Sequence, residues 1–201
     1  MRADPERMDN LSKTNFKDIY PLIASHIIKK CGITKGIGID IGSGPGALAI
    51  TLAKITDLKI YSLDISAEMR LIAKENIENE GLNHKIFPLI GDVHKLPFND
   101  DFADLIVSRG SIFFWKDKKT CFKEIYRVLK PSGYAYIGGG FGSAELRNKI
   151  KQSLKHRKKS SDHAKVPKIN VSELRNDLNS AAIKNYRVIN DDSGLWVIIK
   201  N

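Results

Sequence analysis

The chain is short of sulfur, of long apolar runs and of clustered metal-ligand residues. Two of its 201 residues are cysteines, Cys31 and Cys121. That is too few for a disulfide framework, and they read as free thiols in a reducing, cytoplasmic setting. No stretch approaches roughly 18 uninterrupted apolar residues, so no membrane-spanning helix is expected. The opening "MRADPERMDNLSK" is polar and lacks the apolar core of a secretory signal. His26, His84, His94, His156 and His163 follow no ligand spacing, and no H-x-x-E-H or Cys/His cluster occurs, so no metal is expected. No Ser/His/Asp triad is evident either.

The charge is uneven. The formal net charge is +10, yet residues 147–168, "RNKIKQSLKHRKKSSDHAKVPK", hold nine lysines and arginines and one aspartate. The remainder carries 24 basic and 22 acidic residues. A body so nearly neutral does not have the overall basic surface of a nucleic-acid protein. The basic run itself reads as a solvated face, an anionic acceptor site or a nucleic-acid contact. No aromatic residue lies between Phe141 and Tyr186, which disfavours base stacking.

An apolar content of 42% over 201 residues supports one folded domain with a real core. The spacing of Phe16, Ile19, Tyr20, Ile23, Ile27 and Ile28 predicts an amphipathic helix over about 15–31, with Pro21 early in it or kinking it. Strands are predicted at 36–41, 58–64, 85–92, 103–110 and 134–140, the third at an edge because it contains Pro88. Helices are predicted at about 45–55, from the Ser66 cap to Gly81, at about 117–129, from near Ser143, and over 171–182. "NYRVIN" and "LWVIIK", joined by "DDSG", predict a closing hairpin. Alternating strands and helices imply right-handed crossovers and a parallel sheet covered on both faces. The expected fold is α/β: a Rossmann-like, doubly wound, seven-stranded, mostly parallel sheet with a C-terminal antiparallel strand. Within the single domain 1–201, residues 1–33 form an N-terminal lid helix, 34–142 the cofactor-binding core, 143–183 a variable basic helical segment and 184–201 the hairpin.

In such a sheet a ligand lies at the carboxyl ends of the strands, beside the first one. "GIGIDIGSGPGALAI" at 36–50 is a strand, a glycine turn and a helix in that order. Gly42, Gly44 and Ala47 meet the loose dinucleotide pattern, while Gly42, Gly44 and Gly46 equally meet one used for another adenosine cofactor. The other strand ends offer Asp64, Asp92 and the segment Ser108-Arg109-Gly110-Ser111. Asp40 and Asp92 discriminate: a carboxylate near the glycine loop would repel a pyrophosphate but suits an ammonium or sulfonium group. Asp64 stands where a carboxylate accepts from ribose hydroxyls.

Taken together, "DIGSGPG", "SLD", "GDVHKLPF" and "EIYRVLKPSGYAYIGGG" resemble the class I S-adenosylmethionine-dependent methyltransferases. The likeness covers about 30–142. It is greatest to the small-molecule branch that includes the ubiquinone and menaquinone C-methyltransferases, and "SRGSIFFW" with "IGGGFG" is similar to a largely archaeal subgroup of it. The resemblance implies S-adenosyl-L-methionine as cofactor and S-adenosyl-L-homocysteine as product. It implies cofactor contacts from Tyr20, Asp40, Gly42, Ser43, Gly44, Gly46, Asp64, Ile65, Met69, Gly91, Asp92, Val93, Ser108, Arg109 and Gly110. The C-terminal third departs from the pattern, because the basic run occupies a region that commonly helps build the acceptor pocket.

Arg109, Ser111, Trp115 and His94 are the candidates for the acceptor side, and Phe113, Phe114 and Trp115 read either as pocket walls or as core residues. Arg109 either binds an acceptor carboxylate or phosphate or forms an internal ion pair with Asp40 or Asp92. Tyr20 either touches the cofactor from a lid helix or packs in the core. Methyl transfer from a sulfonium needs a nucleophile held at about 3–3.5 Å and the exclusion of water, so no triad is required. His94 and, less favoured, Tyr20 are the candidate bases. The expected activity is methyl transfer to a small or medium-sized, anionic acceptor. The alternatives are a cofactor-binding protein without transfer and a macromolecule methyltransferase that uses the basic segment.

Overall fold

The computed structural model describes residues 4–155 and 166–201. The elements run α1 (Pro5–Lys13), α2 (Ile19–Cys31), β1 (Lys35–Ile41), α3 (Ala47–Ile55), β2 (Asp57–Asp64), α4 (Ala67–Asn79), β3 (Ile86–Ile90), β4 (Ala103–Arg109), a 3-10 turn at Ile112–Phe114, α5 (Lys118–Val128), β5 (Leu129–Gly140), α6 (Ala144–Lys155), α7 (Val171–Ser180), β6 (Tyr186–Asp191) and β7 (Gly194–Lys200). The seven strands are ordered β3-β2-β1-β4-β5-β7-β6. β1 through β5 are parallel to one another, and β7 runs antiparallel to both β5 and β6. The reversed strand is therefore the last in the chain but not the last in the sheet. β3, with Pro88 in it, takes an edge, where the lost N–H leaves no gap in the ladder.

Alternate strand residues feed two cores, as a sheet covered on both faces requires. Ile39, Ile41, Ile106, Ala135 and Ile137 join Phe122, Ile125, Leu174 and Leu178 on the face of α5 and α7. Leu58, Ile60, Leu105, Val107 and Tyr136 join Ile23, Ile27, Leu52, Ile77 and Ile150 on the face of α2, α3, α4 and α6. Both cysteines are free and buried, one in each core. No helix among the described residues is long and apolar enough to cross a membrane.

Local chemistry sets the helix starts. Ser66 accepts from the Met69 amide at 3.3 Å, Asp117 from Thr120 at 3.0 Å and Asn170 from Ser172 at 2.9 Å, each satisfying a first-turn donor. The predicted helix over 15–31 begins later, at Ile19, so that Pro21 sits in its first turn and displaces no hydrogen bond. α1 is an element that apolar spacing does not reveal, since "PERMDNLSK" has almost no apolar face. Its start was legible all the same: Asp4 caps the Arg7 amide at 3.2 Å and Pro5 takes the first helical position. The basic run falls partly outside the described residues. Its residues 156–165, with His156, His163 and the Arg157–Lys159 stretch, are among those not described.

Candidate cofactor site

The sheet order puts β1 between β2 and β4, so the carboxyl end of β1 is the switch point at which a ligand can enter. The loop there turns on three glycines in the left-handed region: Gly42 at φ +64°, Gly44 at +54° and Gly46 at +84°. Their neighbours differ. A Cβ on Gly42 would collide with Ser111, whereas a Cβ on Gly44 would meet nothing within 4 Å. Gly42 thus makes room for protein, and Gly44 leaves open space on the ligand side.

The loop's amides distinguish between the two cofactor readings. Gly42 N and Ser43 N donate to the Leu63 carbonyl at 2.7 and 3.0 Å, and Gly46 N donates to Ser43 O at 3.1 Å. Gly44 N donates to Asp64 Oδ2 at 2.8 Å, and Pro45 has no N–H. A phosphate cradle works by aiming such donors at the anion. Here those of the loop itself, at Gly42, Ser43, Gly44 and Gly46, are already engaged, one by a carboxylate. Asp64 also accepts from Ser66 N at 2.9 Å through Oδ1, which fixes its side chain at the end of β2. Ser62 donates to Ser43 Oγ at 2.8 Å, and Asn76 holds Pro45 O at 3.0 Å while reaching Asp9 of α1 at 2.8 Å. The last contact ties the N-terminal helix to the loop, and nothing in the spacing of the sequence announces it.

Asp40 lies beneath the loop with 1% of its surface exposed. Burial pushes its carboxyl up to about 8; the Ala49 amide opposes that and the Asp64 charge adds to it. Its Oδ2 is buried and finds no hydrogen-bond partner among the described residues. An orphaned buried carboxyl oxygen is expensive unless a donor arrives. A cationic or N–H-bearing ligand group meets that need, and a pyrophosphate does not.

Asp92 follows β3. Burial acts to raise its carboxyl, but the His94 amide and ring outweigh this and hold it below the usual range. Asp92 Oδ1 takes the His94 amide at 2.9 Å and His94 Nδ1 at 2.6 Å. The ring is thus folded back on its own turn, a poor position for the general base expected of it. The turn is anchored from α5: Glu124 accepts from Leu96 N at 2.9 Å and grips Arg127 at 2.8 and 2.7 Å. Arg127 in turn donates to Phe98 O at 2.9 Å and Asp100 at 2.7 Å. The "EIYR" of the sequence therefore serves the 92–100 segment from outside. Val93 is buried, Ile65 is exposed at the end of β2, and Met69 is buried in α4. Gly91 has no room for a Cβ against Leu63.

The acceptor-side candidates find partners within the protein. Trp115 is a core residue, edge-to-face with Phe122 at 6.2 Å. It donates from Nε1 to Ser111 Oγ at 3.1 Å. Ser111 Oγ also meets Ser108 Oγ at 2.6 Å and the Ile41 carbonyl at 3.3 Å. Together they lock the end of β4 to the end of β1. Phe113 packs against the core near Gly139, and Phe114 stands 63% exposed. Arg109 forms none of the ion pairs among the described residues, so the internal pair with Asp40 or Asp92 is not made. Its guanidinium instead lies 5.3 Å from the Phe16 ring centroid and 5.2 Å from that of Tyr20. It donates to Gly140 O at 3.2 Å, and its Nε is buried without a partner. Burial lowers the Arg109 pKa from its ordinary value, with Tyr20 opposing. Tyr20 is itself buried, and desolvation raises its hydroxyl pKa. Beside Arg109, Gly110 at φ +92° is open, with nothing within 4 Å of a Cβ.

This geometry recurs in known proteins. The family described as "Methyltransferase domain" matches residues 39–137, from β1 to β5. The sterol 24-C-methyltransferase of Aspergillus fumigatus is 32% identical over 118 residues, 57% of this chain and 31% of the relative. The demethylmenaquinone methyltransferase of Chlorobaculum tepidum is 35% identical over 99 residues, 49% of this chain and 38% of that protein. The chain thus spans less than half of either enzyme. A solved structure matches end to end: a protein provisionally assigned as an S-adenosyl-L-methionine-dependent methyltransferase, from Methanococcus maripaludis, has 46% identity and a TM-score of 0.90 over 99% of this chain and 96% of its own. Likeness of that extent, on top of a glycine loop whose amides are already engaged and whose nearest acid seeks a donor, means that the chain belongs to the class I S-adenosylmethionine-dependent methyltransferases.

Proposed function

We propose that the protein transfers a methyl group to a small or medium-sized acceptor, with S-adenosylmethionine as donor. The observation that carries this reading is the Asp40 carboxyl, buried with an unpartnered oxygen under a loop whose own amides, at Gly42, Ser43, Gly44 and Gly46, are already engaged. When bound, that cofactor supplies a methyl group already activated on a sulfonium. The chain's own task is then to bind, to orient and to exclude water. Asp64 is suited to accept from the ribose hydroxyls, since each of its oxygens has a lone pair left after its backbone bond. Asp92 and the Val93 backbone are suited to the adenine, with Ile65, Met69 and Gly91 as walls. Asp40 serves the cationic end, and the left-handed turn at Gly42, Ser43, Gly44 and Gly46 brings the ligand against backbone. Tyr20, Ser108 and Gly110 close the site from α2 and β4. Residues 34–142 act as the cofactor-binding core, 1–33 as its cover, 143–183 as the basic variable segment and 184–201 as the closing hairpin of one domain.

Titration calorimetry with S-adenosylmethionine, S-adenosylhomocysteine and NAD tests the reading. Binding of both adenosyl compounds and not of NAD is expected; binding of NAD alone overturns it. Labelled cofactor offered with small-molecule and macromolecular extract fractions then locates the acceptor. Label is expected in the small-molecule fraction.

A further inference from the structure

We propose that the crevice between the α1–α2 turn and α6 is an anion site that takes a phosphate-bearing ligand, a site the methyltransferase reading does not use. The crevice has a volume of about 500 Å³, with residues of the 13–18 segment on one side and Lys149, Ile150 and Ser153 of α6 on the other. Three lysines line it, Lys13, Lys17 and Lys149, against one acid, Asp18. Two of the three are partly neutralised, since Lys13 meets Asp9 at 2.6 Å and Lys149 meets Asp18 at 3.1 Å. Lys17 is exposed and forms no ion pair among the described residues. Lysines on a convex surface are simply solvated. Around a concavity their fields add, and the protein walls focus them on whatever enters.

The neutral polar groups of the crevice are already engaged. Thr14 donates to Asn10 O at 2.7 Å, Asn15 to Ser153 Oγ at 3.0 Å and Ser153 to Ile150 O at 2.9 Å. Recognition therefore falls to the ammonium groups, whose several N–H donors outnumber their ion pairs. Three cations rooted on two segments suit a phosphate ester, which brings nearly two negative charges and three acceptor oxygens. A lone carboxylate brings less charge, and no arginine lines the crevice to offer it a planar fork. No aromatic ring lines it either, so an unpaired base finds no face to stack on. Asn15 and Lys17 flank Phe16, whose ring lies over Arg109. An anion seated here ties the turn that carries Phe16 to α6. The phosphate can come from a soluble ester or from a lipid headgroup.

Titration calorimetry with inorganic tripolyphosphate, on the free protein and with excess S-adenosylhomocysteine, tests the site. Saturable binding that S-adenosylhomocysteine does not displace is expected. Lys17→Glu should weaken it by at least about tenfold, because an attraction becomes a repulsion. Lys119→Glu makes the same change in net charge on an exposed residue of α5, across the sheet, and should hold within about twofold. Unaltered melting temperatures show that both variants are folded. Vesicles then separate the two sources. Retention of wild type but not Lys17→Glu on phosphatidylcholine vesicles that contain phosphatidic acid, and not on phosphatidylcholine alone, assigns the phosphate to a lipid. Tripolyphosphate binding without retention assigns it to a soluble ester. Absence of saturable binding, displacement by S-adenosylhomocysteine, or equal losses in Lys17→Glu and Lys119→Glu overturn the proposal. So does capture of duplex RNA by a protein that ignores tripolyphosphate. None of these outcomes requires methyl transfer, so failure of the methyltransferase reading leaves them distinct.

Discussion

At the glycine loop Gly42, Ser43, Gly44 and Gly46 each have an amide partner, and all the partners come from the loop itself or from the end of β2, one helix and one strand further along the chain: Ser43, Leu63 and Asp64. At the end of the neighbouring strand β4, Arg109 is held by the rings of Phe16 and Tyr20, from the N-terminal part of the chain. The loop is rigid through hydrogen bonds and shaped by backbone; the arginine is fixed by side-chain faces brought in by tertiary packing. The contrast separates two tasks. One is to shape a turn from backbone, the other to hold a buried cation in place by aromatic faces.

The comparison can be tested first at Asp40, where the largest effect is expected. Its carboxyl sits at about 8 in the folded protein against an ordinary 3.8. Between those values the native state keeps a proton that the unfolded chain has released, so ligand-free stability falls as pH rises and levels off above about 8. Over the full window the loss amounts to several kcal/mol on the order-of-magnitude linkage relation. Urea denaturation at a series of pH values should show this slope, and Asp40→Asn should flatten it while weakening S-adenosylhomocysteine. A wild-type stability that rises from pH 4 to 8 would contradict the assignment.

Next comes Asp64, on the loop side. Asp64→Ala removes both the anchor of Gly44 and the candidate ribose acceptor, so cofactor binding should weaken by about 1.5–3 kcal/mol, read by calorimetry. A smaller effect separates two glycines of the same turn. Gly42→Ala must push Ser111 aside and should lower the melting temperature, by overpacking worth about 1–3 kcal/mol. Gly44→Ala meets no protein atom, so beyond about 1 kcal/mol of left-handed backbone strain its deficit should appear in cofactor affinity. Paired melting and binding curves should show this crossed pattern; two identical profiles would erase the distinction between the protein side and the ligand side of the loop. The smallest change is expected at His94→Asn, which removes one partner of a half-exposed carboxylate. It should alter cofactor affinity by less than about 1 kcal/mol, with turnover of the eventual acceptor retained.

Much of the first region was legible from residues alone, because its determinants are short-range. The glycine spacing, Asp64 at the end of a strand, the Ser66 cap and Pro88 at an edge each encode a local conformation that tertiary context did not override. Arg109 was readable as a strand-end cation, but its holders were not. Phe16 and Tyr20 carry only a helical apolar period, and whether such a ring faces aliphatic core or a guanidinium depends on how α2 docks. For Trp115 the reason is the same: an aromatic after β4 has no sequence mark for the side it takes, pocket or core, and the Ser111 bond draws it into the core. The Glu124–Arg127 brace was visible as a motif and invisible as a contact, since its target lies some 30 residues earlier, in the 92–100 segment.

The placement of β7 bears on how the chain is made. It follows the other six strands along the chain, yet it fills the gap between β5 and β6. Until residues 194–200 emerge, β5 offers a bare edge along Tyr134 to Gly140, and Asn201 is not yet there to bond the Leu129 carbonyl at 2.7 Å or receive the Ser132 amide at 2.8 Å. A nascent chain therefore carries five parallel strands with one open flank for the time it takes to add residues 141–200. Exposed edges of this kind invite pairing with the wrong strand. The three glycines at the end of β5, which admit β7 so closely that a Cβ at Gly138 or Gly140 would strike its backbone or the turn before it, also weaken that edge as a template while it waits.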